Sequence, residues 1–249
     1  MFDPPVAIAS LSGRSDAEWA LAVEEYIGAA FLGGLAIDAR SREAARKMCE
    51  RGREEFLPTD PIAFMADQFE ALTDASLQPA FNVRSTTLDP VREAAACCAR
   101  HDAIIEINAH CRQEELCAVG CGETLLADTD RLCATVAAAA TADAPVSVKV
   151  RTEVPGVDLV ETARRIATAG ADMIHVDAMD SEPMIATVVD AASDLVVIAN
   201  NGVRDTRTVR EYLDYGADAV SVGRPSDDPQ VLEAVRDAAV DWFAVDPGM

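Results

Sequence analysis

Short apolar runs rich in β-branched residues recur along the chain, and each is followed by a stretch whose apolar positions repeat at helical spacing. VAIAS leads into DAEWALAVEEYI, and AAFLGG into SREAARKMCERGREE. PIAFMADQFEALTDA reads as a helix entered through Pro61, LQPAFNV as a strand, and DPVREAAACCARH as a helix with Pro90 in its first turn. Further strands, AIIEIN, VSVKV, MIHVD, LVVIAN and AVSVG, alternate with helical runs near LLADTDRLCATVAAAATA, DLVETARRIATAG, SEPMIATVVDAA and TRTVREYLDYGA. The series predicts eight strands and closes with a helix over DDPQVLEAVRDAAVDWFAV.

Eight βα units in 249 residues is the arithmetic of a (β/α)8 TIM barrel, an α/β fold whose functional groups sit on the loops after the strands. A doubly wound open sheet is the rival. It calls for a Gly-rich fingerprint after the first strand, and ASLSGRSD lacks G-x-G-x-x-G. No Ser-, Gly- or Pro-rich linker interrupts the alternation, so residues 1–249 are expected to form a single barrel domain with no room for a second.

With half of its residues hydrophobic, 13 Gly and 12 Pro, the chain is globular rather than disordered or fibrous. Its 43 acidic against 21 basic residues give a net charge of −22, which repels polyanions and disfavours nucleic acid as a partner. An Asp-rich surface nearly free of Lys is also a halophilic adaptation to concentrated salt, where screening shortens the reach of every charge. Only Lys47 and Lys149 are lysines. MFDPPVAIASLSG has no basic leader, and no run reaches the roughly 18 apolar residues of a spanning helix, so a cytoplasmic protein with no membrane partner is expected. Seven irregularly spaced Cys read as thiols in a reducing compartment.

In a barrel the informative positions are polar residues at strand ends. They are Asn82 ending strand three, Asn108 ending strand four with Cys111 just beyond, and Lys149 and Arg151 on strand five. His175 and Asp177 follow on strand six, Asn200 to Gly202 after strand seven, and Gly223 with Arg224 after strand eight. Burying Lys149 costs several kcal/mol unless its ammonium meets a ligand or an ion pair, for which Asp177 and Glu106 are the candidates. Gly202 and Gly223–Arg224 fit the place where many barrels hold a phosphate. His175 is read as one residue off the inward alternation and His101 as the end of a surface helix, so neither supports a triad. His110, Cys111, Cys117 and Cys121 lack a C-x2-C spacing, and no metal site is expected.

The run INAHCRQEELCAVGCGETLL resembles the signature loop of the tRNA-dihydrouridine synthases. In that loop an Asn, two residues and a Cys are followed nine and eleven positions later by two Gly, before a Leu-Leu helix start. Asn108, Cys111, Gly120, Gly122, Leu125 and Leu126 fall in register. ASLSGRSD is similar to the family's first flavin-contacting loop, VSVKVRTE to its strand-five Lys motif, and NNGVRDTRTVREYLDYGADAVSVGRPSDDP to its phosphate-binding end. The resemblance, to the NifR3-like, archaeal-type short form and more distantly to dihydroorotate dehydrogenases, implies an FMN-dependent oxidoreductase. Carried over, Ser10, Leu11 and Ser12 pass beside the isoalloxazine, while Lys149 faces its N1/O2 edge and stabilises the reduced anion. Asn82, Asn108 and Asp177 are the further flavin positions, and Asn201, Gly202, Gly223 and Arg224 hold the ribityl phosphate. Cys111 is the implied general acid, protonating C5 of a uracil whose C6 takes hydride from the flavin, with NADPH or NADH as reductant. An ordinary thiol keeps its proton at neutral pH and can donate it.

The chain departs from the family where a Gln usually ends strand three and a His ends strand six; Asn82 and Asp177 stand there. Arg112 replaces the Pro after the Cys, Glu115 replaces a Lys, and the family's C-terminal helical domain is expected to be lacking. Flavin binding is thereby better supported than tRNA binding. The substrate expected is tRNA or, as in dihydroorotate dehydrogenases, a free pyrimidine; a barrel that binds a phosphorylated ligand without turnover is the non-enzymatic alternative.

Overall fold

The computed structural model describes residues 1–245. Its strands are β1 (Val6–Ile8), β2 (Ala29–Ala36), β3 (Gln78–Arg84), β4 (Ile104–Asn108), β5 (Val146–Arg151), β6 (Met173–Asp177), β7 (Val196–Asn200) and β8 (Ala219–Val222). They pair in chain order, all parallel, and β8 closes on β1 through Val6–Val220, Ala7–Ser221 and Ile8–Val222. The helices are α1 (Ala17–Leu21), α2 (Ala39–Glu50), α3 (Pro61–Ala71), α4 (Leu88–Arg100), α5 (Glu114–Ala118), α6 (Glu123–Ala127), α7 (Thr129–Ala139), α8 (Leu159–Thr168), α9 (Met184–Ala191), α10 (Thr206–Asp214) and α11 (Pro229–Val245). The expected (β/α)8 barrel is the observed fold.

Part of the acidic excess is local helix chemistry. Asp16, Asp38, Asp60, Asp128, Asp158 and Asp205 each accept a backbone N–H at the start of a helix, which satisfies donors the helix leaves open. One such cap breaks the helical run expected over LLADTDRLCATVAAAATA. Asp128 leaves helical geometry to cap Arg131 N, dividing α6 from α7. DAEWALAVEEYI likewise divides into α1 and a 3-10 turn over Glu24–Tyr26.

Outward-facing strand residues such as Leu32, Ile105, Val148 and Ile174 pack under the helices in the main core. The barrel interior separates into two levels. Phe2, Ala7, Ala29, Phe31, Ala80, Ile104, Met173, Ile198 and Ala219 form an apolar plug toward the strands' N-terminal ends. Above it, toward the mouth, the inward residues are polar.

Candidate active site at the barrel mouth

Strand alternation places Asn82, Glu106, Lys149, His175 and Ser221 inside the barrel, each at most 2% exposed. Glu106 is the centre of their hydrogen bonds. Its carboxylate accepts from Asn82 Nδ2 at 2.6 Å, Ser147 Oγ at 3.2 Å and His175 Nδ1 at 2.8 Å. His175 Nε2 lies 2.6 Å from Ser221 Oγ, which also accepts from Asn200 Nδ2 at 2.7 Å. On the other side Asn82 Oδ1 accepts from Asn108 Nδ2 at 2.8 Å, and Asn108 Oδ1 accepts the Cys111 N–H at 3.2 Å. A continuous chain of hydrogen bonds therefore runs from β7 and β8 through β6, β4 and β3 to the loop that carries Cys111.

Lys149 stands beside Asn108 and His175 in the strand register, and among the described residues its ammonium makes no hydrogen bond and no ion pair within 4.0 Å. The expected alternative of a structural ion pair with Asp177 or Glu106 is not what the structure shows, because both carboxylates are engaged elsewhere. Asp177 Oδ1 accepts from Asn201 Nδ2 at 2.7 Å. Burial lowers the Lys149 pKa, and the fields of Glu106 and Asp177 oppose that fall without cancelling it. Burial raises that of Glu106, but His175 and Lys149 outweigh it and the net displacement is downward.

The loop after β4 is built around Cys111. Its carbonyl accepts the Glu123 N–H at 2.9 Å, and Gly122, at φ +60°, passes so close that a Cβ there would lie 1.9 Å from that oxygen. Cys111 is half-buried on the wall of a cavity of about 220 Å3, together with Ser10, Leu11, Ser12, Asn108 and Asp177. Arg53, Glu55, Arg84, His110, Arg112, Gln113, Arg151 and Met179 complete the wall. Arg84 and Glu55 form an ion pair at 2.6 Å with side chains 4% and 1% exposed, and Arg84 also donates to Ser12 Oγ. His110 Nδ1 is out of reach of water and has no partner among the described residues; burial, then Lys149 and Arg84, push its pKa well below the ordinary 6.5.

At the other end of the mouth, a Cβ on Gly202 or Gly223 would meet nothing within 4 Å, so both backbones border open space. Arg224 is exposed, and among the described residues it has no ion pair and the buried Ser226 Oγ has no partner. Tyr212 OH donates to Asn201 O at 2.8 Å and holds that turn, where Asn201 sits at φ +92°. A free guanidinium, an orphaned hydroxyl and two uncovered glycines suit an anion.

The family described as Dihydrouridine synthase (Dus) matches residues 38–245. The chain belongs to the dihydrouridine synthase family. It is thereby related to oxidoreductases. It is 26% identical to the uncharacterized protein MJ0144 of Methanocaldococcus jannaschii over 234 residues, 89% of each chain. Among solved structures, DHODH from Eimeria tenella in complex with ferulenol superposes with a TM-score of 0.71 at 16% identity, covering 98% of this chain and 82% of that one. The tryptophan synthase complex of Pyrococcus furiosus superposes at 0.60 and 14%, covering 97% and 100%. At such identities the last two speak for the barrel alone.

Of the positions expected to matter in this dihydrouridine synthase family member, Ser10, Leu11, Ser12, Asn108, Cys111 and Asp177 meet on one cavity. Lys149 lies beneath it, and Asn201, Gly202, Gly223 and Arg224, on the loops after β7 and β8, do not line it. Asn82 does not end its strand. β3 runs on to Arg84, and Asn82 is fully buried in the hydrogen-bond chain below the cavity. His175 also differs from expectation: it pairs with Lys149 in register and points inward. Arg84 and Glu55 were missed, Glu106 was read only as a candidate ion-pair partner of Lys149, and His110 only as a metal ligand that the spacing disfavours. Period-two alternation from Asn82 and Asn108 would have reached Arg84 and Glu106; Glu55 had no such signal.

Among the described residues no helix is long and apolar enough to cross a membrane, and no group of three or more His, Cys, Asp or Glu is placed to hold a metal ion.

Proposed function

We propose that this protein is an FMN-dependent dihydrouridine synthase that reduces the C5=C6 bond of a uridine in tRNA, with NADPH or NADH as the reductant. The observation that carries the reading is Cys111: the family's Asn and Cys share a cavity wall, the backbone of one held by the side chain of the other, with Lys149 below. FMN, when bound, supplies the hydride for C6. Cys111 gives its thiol proton to C5 and recovers one from water. Lys149 offers a compact ammonium to the anionic edge of the cofactor, which a guanidinium would not match. Asn201, Gly202, Gly223 and Arg224, with Ser226 Oγ, would hold the phosphate. The remaining wall residues bind and orient: Ser10, Leu11 and Ser12 form one side of the slot and Asn108 fixes the acid.

Unpaired arginines at the barrel mouth favour an anionic macromolecule over a free pyrimidine. Arg53, Arg112, Arg204 and Arg224 are exposed on loops at the strands' C-terminal ends, Arg151 is half-buried there, and none has an ion pair among the described residues. On the helices Arg46, Arg92, Arg165, Arg207 and Arg236 are each paired with a nearby carboxylate, whereas Arg40, Arg100, Arg164 and Arg210 have no ion pair among the described residues. In a chain of charge −22, these five unpaired arginines at the strand ends border one opening, where phosphates would meet them.

The test is reconstitution with FMN followed by turnover on unmodified tRNA and on free uridine. A yellow protein that forms dihydrouridine in tRNA, with Cys111→Ala inactive but still yellow, is expected. A protein that takes up no FMN, or an active Cys111→Ala, would overturn the reading.

A further inference from the structure

Every donor in the buried chain points one way. Asn200 donates to Ser221, whose hydroxyl is left to donate to His175 Nε2. The opposite ring nitrogen must then carry the hydrogen given to Glu106. From the other side the Cys111 N–H donates to Asn108, Asn108 to Asn82, and Asn82 to Glu106. Ser147 adds a third donor to the same carboxylate. No acceptor other than an ionised carboxylate satisfies three donors at once in a wholly buried position.

We propose that Glu106 is the positioning residue of this site: its buried charge holds Lys149 as an ammonium and His175 as the Nδ1–H tautomer, and through Asn82 and Asn108 it orients the Cys111 loop. That these groups serve a reaction rests on the functional reading above; the hydrogen-bond chain does not.

The carboxylates that act on Lys149 are Glu106 from β4 and Asp177 from β6, and Lys149 in turn acts on the rings of His175 from β6 and of His110 from the loop after β4. Burial disfavours its ammonium, and of the two carboxylates that oppose this Glu106 is fully buried whereas Asp177 reaches solvent. Water screens Asp177 and leaves Glu106 unscreened, so the ammonium depends on Glu106 more than on its nearer-surface counterpart. Replacing Glu106 by Gln keeps the shape but reverses one bond. The Gln oxygen still accepts from Asn82, its NH2 now faces His175 Nδ1, and the ring must move its hydrogen to Nε2.

The sequence makes the measurement simple. In a Lys47→Arg background Lys149 is the only lysine, and 13C at Cε reports its protonation without flavin; 15N-labelled histidine reports the tautomer, with His175 assigned through single substitutions at His101 and His110. Expected in the flavin-free protein are a Lys149 ammonium at pH 7 and a proton on His175 Nδ1. In Glu106→Gln the His175 proton should move to Nε2 and the Lys149 protonation equilibrium shift roughly tenfold or more toward the amine. Asp177→Asn should shift it less. An unchanged tautomer and titration in Glu106→Gln, or a larger effect from Asp177→Asn, overturns the proposal. Should Glu106→Gln fail to fold, the parent protein still decides, because a neutral Lys149 at pH 7 or a proton on His175 Nε2 contradicts it. With FMN bound, the Glu106→Gln midpoint potential should fall below that of the parent. A parent that binds no FMN removes the functional reading and leaves the lysine and histidine outcomes to judge Glu106.

Discussion

The two levels of the barrel interior are made by the same strands and follow opposite rules. Below, small Ala7, Ala29, Ala80 and Ala219 alternate with bulky Phe31, Ile104, Met173 and Ile198, so large side chains fill the space small ones leave. Above, one residue pair further along the same strands, Asn82, Glu106, Lys149, His175 and Ser221 replace packing with hydrogen bonds. Phe31 and His175 meet at the boundary, ring centroids 5.0 Å apart. The lower level derives stability from apolar burial. The upper one gives up part of that gain, since a buried hydrogen bond nets only about 1 kcal/mol and a buried charge must first be stripped of water. What it gains is a fixed array of charge under the mouth, and the difference indicates that the upper level is retained for chemistry.

Substitutions at the two levels should therefore separate activity from stability. The largest effect belongs to Cys111→Ala: dihydrouridine formation on tRNA should fall by about 10²- to 10⁴-fold, the usual contribution of a positioned general acid, with an unfolding midpoint close to the parent's. Ile104→Ala, two residues below Glu106 on β4 and 1% exposed, should do the reverse. Removing its buried side chain should cost about 2–5 kcal/mol in denaturant unfolding, and what folds should keep the parent's FMN affinity. A Cys111→Ala protein that unfolds early, or an Ile104→Ala protein that is stable but cannot bind FMN, would erase the distinction.

Acid should attack the upper level first. Burial, then Lys149, lowers the pKa of His175, and burial with its cationic neighbours lowers that of His110 well below 6.5. The native state keeps both rings neutral where the unfolded chain protonates them. Their contribution is present above pH 6.5 and is lost as pH falls through the lowered native values. Glu106 and Asp38, also lowered, contribute above the ordinary carboxylate range and lose that contribution only below it. The unfolding midpoint should decline from pH 6.5 toward 5, more gently in His110→Asn. A flat profile across that interval would mean that these rings are protonated in the native state.

The lower level was the easier one to read from the chain. Its β-branched and Ala-rich runs carry the period of a strand within five or six residues, so all eight strands and their order were legible. The place of Cys111 on the cavity was legible too, because the loop from Asn108 to Gly122 resembles the family's signature. The upper level depends on partners far apart in sequence. β3 continues through Arg84 because Glu55, 29 residues earlier, neutralises a guanidinium that would otherwise not be buried. His175 is inward because β6 pairs with β5 at Lys149, and the register between two strands is not written in either. The break between α6 and α7 was hidden for a different reason: Asp128 sits in a run of good helix formers, and only its cap marks the boundary.

The smallest predicted effects test the comparison most closely, because they make equal changes at both levels. Ser147→Ala removes the longest of the three bonds to Glu106, at 3.2 Å, and leaves the other two donors in place. Ile198→Val removes one methyl group from the apolar plug. Either should cost about 0.5–1.5 kcal/mol, Ser147→Ala near the lower end because two bonds still anchor the carboxylate. Stability alone would not tell them apart. The titration of Lys149 should: one donor fewer leaves the Glu106 charge less stabilised, so Ser147→Ala should alter the lysine's protonation slightly whereas Ile198→Val should not. Identical titrations in the two variants would mean that Ser147 contributes to the barrel only as packing, and that the boundary between the levels lies one layer higher than the hydrogen bonds place it.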